Sequence, residues 1–218
     1  MQLTKYLGYL GLLASVLVGS GEYLLHYSDQ VIEHAANYEF LKFVSLERLK
    51  TGHFLAVIGL PFYFAGYFHL YRMLRSGKRF FAASVLVLGM IAFAVGGIWI
   101  GSRGFLGTLV HMQSDLEATS YATILDNYTS YLEVLVKALR IIIALLSISF
   151  VIAVLKGGTL YKKWMAFFNP ITILGVLTLS LLLPAIGKHI VPILMNVTHF
   201  VLFSISLYHL KLYSKNHG

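Results

Sequence analysis

Apolar residues run along this chain in long stretches separated by short polar connections. A helix needs about 20 such residues to cross the hydrocarbon layer of a bilayer. Six stretches reach that length, at about 3–25, 53–73, 80–111, 134–155, 168–187 and 189–211. They predict an all-α integral membrane protein, a six-helix bundle forming one polytopic domain over residues 1–218. Pro184 and Pro192 are expected to end or kink the last two helices, with a tight turn over Pro184-Ala185-Ile186-Gly187-Lys188. Lys5 ahead of the first stretch and Gly19-Ser20-Gly21 behind it also fit a cleavable signal. A polar stripe that continues the pattern of the later helices favours a retained helix instead.

Polar and small residues inside the stretches recur every three or four positions, so each set shares one helix face. The first helix carries Gly8, Gly11, Ser15, Gly19, Glu22 and His26 on one stripe. The second carries Gly52, Ala56, Gly59, Tyr63 and Gly66, with His53 at its edge. On the third, Gly97, Gly101, Gly104, Thr108 and His111 align, with Arg103 on a neighbouring face. The fourth runs Glu133, Lys137, Arg140, Ala144, Ser147, and the sixth runs His189, Pro192, Asn196, His199, Phe203, Ser206. Small residues let helix backbones approach closely in lipid. These stripes are therefore expected to face the bundle interior and to carry their polar members with them.

Composition agrees with the hydropathy. The chain is 58% hydrophobic and 12% charged, where a soluble domain carries about a quarter charged residues. Charge then orients it. Lys5, Arg72, Arg75, Lys78, Arg79, Lys156, Lys162, Lys163, Lys211 and Lys215 share one side if six helices alternate. All nine acidic residues, Glu22, Asp29, Glu33, Glu39, Glu47, Asp115, Glu117, Asp126 and Glu133, fall on the other with the seven remaining bases. Cytoplasmic loops collect Lys and Arg, so both termini are expected in the cytoplasm, in the plasma membrane (the inner membrane of a bacterium). The net charge of +8 sits in short loops rather than along a groove, so nucleic acid is not an expected partner. Zero cysteines exclude disulfides and thiolate chemistry. Between the first two helices, Phe40, Leu41, Val44 and Leu46 among charged residues suggest an interfacial amphipathic helix.

An ionised group near the bilayer centre costs roughly 2.5–3.5 kcal/mol on insertion scales, so each intramembrane charge needs a partner or a function. Glu22, His26, His53, His111 and His189 are expected at one outer level on four helices, a set that would suit a divalent metal without cysteine. No HExxH-type string accompanies them, and nothing marks a pair of haem ligands. Glu22, His111 and His199 are the candidate catalytic groups, His199 as a buried imidazole able to relay protons. Arg103, Arg140 and Asn196 are the candidate substrate contacts, since guanidinium forks hold phosphate or carboxylate. The same arginines also suit structural pairs with Glu22 and Glu133. Near the cytoplasmic boundary, His69 and His209 are read with Tyr67, Tyr71 and Tyr208 as aromatic-belt anchors.

These residues point first to an intramembrane enzyme acting on a lipid or other amphiphile from a polar cavity open to the outer leaflet. An alternative is a small-molecule or proton-coupled transporter, although neither inverted repeats nor a matched pair of broken helices is evident. Another is a non-catalytic subunit that binds a partner through its outer loops. The expected partners are membrane lipids, a lipid-like or anionic ligand, and a second copy of the chain if the carrier reading holds.

Overall fold

The structure, a computed structural model, describes residues 1–30 and 38–217, omitting the side chains of Asn216 and His217. Glu33, one of the nine acids expected outside, lies beyond the described residues. Among those described, seven α-helices follow in order, joined by 3-10 turns: α1 (Gln2–His26), α2 (Leu46–Leu74), α3 (Arg79–His111), α4 (Ala118–Lys156), α5 (Pro170–Thr178), α6 (Pro184–Ile190) and α7 (Leu194–His217). The protein is all-helical. Five stretches are long and apolar enough to cross a membrane: α1, α2, α3, α4 and the run Pro184–Lys215. The segment Pro170–Leu182 is a shorter apolar helix.

Two helices start earlier than hydropathy predicts, because their polar leading turns are capped. Ser45 accepts from the Arg48 backbone at 3.3 Å and opens α2 at Leu46. Glu117 accepts from the backbone of Thr119 and Ser120 and opens α4 at Ala118. These hydrogen bonds, with those from the two hydroxyls, hold the Glu117 carboxyl below its usual range. With 39 residues, α4 is about 58 Å long, against a hydrocarbon core of about 30 Å. Its first half must therefore overhang. That overhang corrects one expectation: Glu133 and Lys137 do not face the interior but pair with each other at 3.7 Å on an exposed surface. The expected interfacial helix is also shorter, a 3-10 turn at Glu39–Phe43 that buries Leu41 and Val44 against the bundle.

The last two predicted helices are redrawn by their prolines. Residues before proline are pushed out of the helical region, and Leu183 sits at φ −121, ψ 83. The chain breaks there, one residue before the expected turn, and α6 starts on Pro184. Pro192 falls in the 3-10 turn Val191–Ile193 between α6 and α7.

Close packing of α1 on α2 supplies the frame. Gly21 faces Gly52 and Ala56, Gly59 faces Val18, and Gly66 faces Gly11, so the two helices run antiparallel in contact. Of the α1 stripe, Gly11 is shared with this face, while Gly8 and Gly19 meet Leu207 and Asn196 of α7. A Cβ on Gly66 would lie 2.6 Å from Phe203 and 2.8 Å from the Gly11 backbone. That leaves room for the Phe203 ring of α7 and nothing else. At the far end of α4, Gly157 and Gly158 take φ of 78 and 74, a conformation glycine enters without a Cβ clash. The chain can then fold back so that the Leu160 backbone donates to the Met73 carbonyl at 3.0 Å. Ser214 reaches Met1 at 3.8 Å, placing both described ends of the chain at one end of the bundle.

Candidate functional site

A cavity of about 380 Å³ lies in the middle of the bundle, with walls from α1, α2, α3, α4, α5 and α7. Most of its lining is apolar: Leu60, Phe93, Trp99, Val136, Leu139, Ile143 and Leu174 are typical. Its polar groups are few: Glu22, Tyr67, Arg140, Asn196 and His199. Glu22, Arg140, Asn196 and His199 are four of the residues singled out from sequence. Glu22 comes from the α1 stripe and Asn196 and His199 from the α7 stripe, while Arg140 is an exposed residue of α4 that also lines the cavity.

The hydrogen bonds run in two short chains. Tyr63 donates to Asn196 Oδ1 at 2.7 Å, and Asn196 Nδ2 donates to Glu22 Oε2. One oxygen of Glu22 is thereby fixed, and the side chain faces the cavity from α1. In the second chain, His199 Nδ1 lies 2.8 Å from the Met195 carbonyl, which can only accept. Nδ1 therefore carries the proton, and Nε2 accepts from the Tyr67 hydroxyl at 2.7 Å. Both rings are buried, stacked edge-on or tilted among Tyr63, Phe93 and Phe203. His199 is thus a satisfied core histidine at the cavity floor as well as part of its lining.

Arg140 enters the same space from α4 with no hydrogen bond or ion pair to any described residue. The ion pairs among the described residues are Glu133 with Lys137 at 3.7 Å and Asp29 with Lys188 at 3.6 Å. The expected structural pairing of Arg140 with Glu22 or Glu133 is therefore not formed. Arg103 departs from its expected role too. It is 5% exposed, donates through Nε to His26 Nε2 at 3.3 Å, and lies over the Phe40 and Trp99 rings. It fastens the Glu39–Phe43 turn and α1 to α3 and does not line the cavity.

The five-residue metal set is not brought together. Among the described residues no three His, Asp or Glu form a group that could hold an ion. Glu22 is in the cavity, and His26 accepts from Arg103. His53 lies beneath Gly101 and Gly104 with Nδ1 lacking a hydrogen bond. His111 bonds the Val44 carbonyl at 2.8 Å, which uses a candidate catalytic residue to hold the outer connection. His189 bonds the Tyr23 hydroxyl at 2.7 Å. Shared depth was the basis of the expectation, and helix rotation separates the side chains.

Above the cavity a clasp ties α6 to the end of α1. Lys188 pairs with Asp29, Tyr27 donates to Asp29, and Tyr27 stacks on His189 with ring centroids 4.9 Å apart. The Tyr27 hydrogen bond holds the Asp29 carboxyl below its usual range, and pushes the tyrosine up to about 12. Below the cavity, His69 and His209 are buried rather than interfacial. His69 donates to the Thr4 carbonyl at 2.7 Å and accepts from Ser206 at 2.6 Å, while His209 donates to the Leu160 carbonyl at 2.9 Å. They lie at the end of the bundle where Met1 meets Ser214, with Phe203 buried against His199.

Two functional residues were missed at the level of sequence, Tyr63 as a hydrogen-bond donor and Tyr67 as part of the site. Their signal was present: they sit four apart, and Tyr63 continues the Gly52-Ala56-Gly59 stripe. Reading Tyr67 as a belt residue hid it.

The comparisons with known proteins place the chain in a family without assigning chemistry. Residues 1–213 match the model of a family of unknown function (DUF6796), and the chain belongs to that family. No curated protein and no solved structure matches it.

Proposed function

We propose that this member of the family is an intramembrane enzyme acting on an anionic amphiphile, a lipid or a molecule like one. The observation that carries the reading is a mostly apolar cavity shared by one carboxyl group, Glu22, and one guanidinium, Arg140, that has no partner among the described residues. A volume of about 380 Å³ is within the usual range for small-molecule sites, about 300–1,000 Å³. Counting from Lys156, Arg140 sits about 24 Å along α4, still inside a hydrocarbon layer of about 30 Å. A charge at that depth calls for an anion, and an acidic head group supplies one. The acyl portion then lies along Val136, Leu139, Ile143 and Leu174.

In this reading Glu22 is the acid–base residue. Asn196, itself oriented by Tyr63, holds one carboxyl oxygen and leaves the other to exchange a proton with the bound polar group. The orientation proposed is six crossings, with both ends of the chain in the cytoplasm of the cell whose plasma membrane holds it. The segregated loop charges support it, as does the meeting of Met1 with Ser214. One observation favours a carrier as the second reading: the helix break at Leu183 and the turn at Pro192 fall between α5 and α7, two helices that line the cavity.

The test uses purified protein in nanodiscs made from a total membrane lipid extract. Arg140→Gln is expected to lower retention of an acidic lipid about tenfold or more, measured by native mass spectrometry. Glu22→Gln is expected to keep that lipid but to abolish its conversion, followed by lipid mass profiling. Equal retention by Arg140→Gln defeats the binding claim. Retention without any conversion by the wild type, joined by lipid-dependent solute uptake into liposomes, replaces the enzyme with the carrier.

A further inference from the structure

A second cavity, of about 670 Å³, opens where the chain ends meet, and three arginines line it: Arg72 and Arg75 from the end of α2 and Arg79 from the start of α3. Thr4, Tyr71 and Ser76 add hydroxyls to the lining, while Met1, Leu160 and Leu210 form an apolar wall. No carboxylate among the described residues lines it. We infer that this cavity is a phosphate-binding site, distinct from the central cavity, that takes the phosphate of a lipid head group or of a soluble phosphate compound.

The positive-inside tendency explains basic loops, but not a concave arrangement of guanidinium groups. Arg72 is half-buried, and its Nε is spent on the Thr4 hydroxyl at 2.8 Å. That bond fixes the plane of the fork and leaves its two terminal nitrogens without a described partner. Arg75 and Arg79 are exposed and have no ion pair among the described residues. Lys78, on the same connection, is not part of the lining. Three planar forks around one space suit the several oxygens of a phosphate, because each offers paired donors where an ammonium is only a point charge. The apolar wall beside them suits the glycerol and upper chain of a lipid. The hydroxyls of Tyr71 and Ser76 suit the remaining phosphate oxygens.

The experiment is native mass spectrometry of the full chain in neutral detergent after exposure to equal phosphatidic acid and phosphatidylcholine. It is run beside calorimetric titration with inorganic pyrophosphate. In an Arg140→Gln background, which removes the central-cavity contact, selective retention of phosphatidic acid that Arg75→Gln/Arg79→Gln reduces about tenfold or more identifies a head-group site. Saturable pyrophosphate binding lost in the same variant identifies a soluble phosphate compound as the source. Arg75→Lys/Arg79→Lys keeps the charge without the forks and is expected to fall between the two. The inference is overturned if the wild type retains phosphatidylcholine as well as phosphatidic acid and binds no pyrophosphate. It is equally overturned if the glutamine variant, folded by its melting profile, binds as the wild type does. Retention that Arg140→Gln removes but Arg75→Gln/Arg79→Gln spares belongs to the central cavity, so failure here and failure there are separable.

Discussion

Tyr67 and His199 show how a polar group survives in the middle of this bundle. The imidazole has two ring nitrogens to satisfy, and the Met195 carbonyl and the Tyr67 hydroxyl take one each. Removing the hydroxyl leaves Nε2 buried without a donor, which costs about 1–3 kcal/mol. Tyr67→Phe is therefore expected to lower the thermal midpoint in detergent, while Tyr208→Phe, exposed on the same protein, leaves it in place. Identical midpoints for the two variants contradict this assignment. Arg140 presents the opposite case at the same scale: it is exposed and has no described partner, and in the proposed reading an anionic group supplies one. The sequence marked both residues by their stripes. It did not distinguish them, because satisfaction of a histidine by one tyrosine depends on the rotation of α2 against α7.

At the scale of elements, α4 is the informative helix. Its apolar second half accounts for the span that hydropathy predicts, and its capped first half continues the helix well past any bilayer boundary. Hydropathy cannot see such an overhang, because the exposed turns are polar and read as a loop. The short α5 and the seven residues of α6 were hidden differently: Pro184 was visible, but the break it enforces falls on the residue before it. The α2 stripe was legible, with Gly66 against Gly11 of α1, but the rest of the α1 face that meets it, Val18 and Gly21, lies off the stripe read from sequence. The overhang offers a direct check of orientation, as the chain has no cysteine of its own. Asp126→Cys is expected to react with a membrane-impermeant maleimide added to intact cells, and Lys162→Cys only after lysis. The reverse pattern inverts the topology.

For the whole molecule, charge asymmetry and interior stripes converge on one arrangement. One end holds the clasp of Asp29, Lys188, Tyr27 and His189, the end where Met1 meets Ser214 holds His69 and Ser206, and the cavity lies between. Depth along each helix was readable from the chain, and Glu22, Arg140, Asn196 and His199 line one cavity. Rotation about each helix axis was not readable: it sent His26, His111 and His189 to three separate partners and left His53 Nδ1 without a hydrogen bond. The measurement that bears most directly on this account is a density map of the protein purified in native-lipid nanodiscs. An elongated non-protein density between Glu22, Arg140 and His199, with its broad end against the Arg140 guanidinium, is the expected result. A map in which Arg140 turns away and apolar side chains close the space would contradict it.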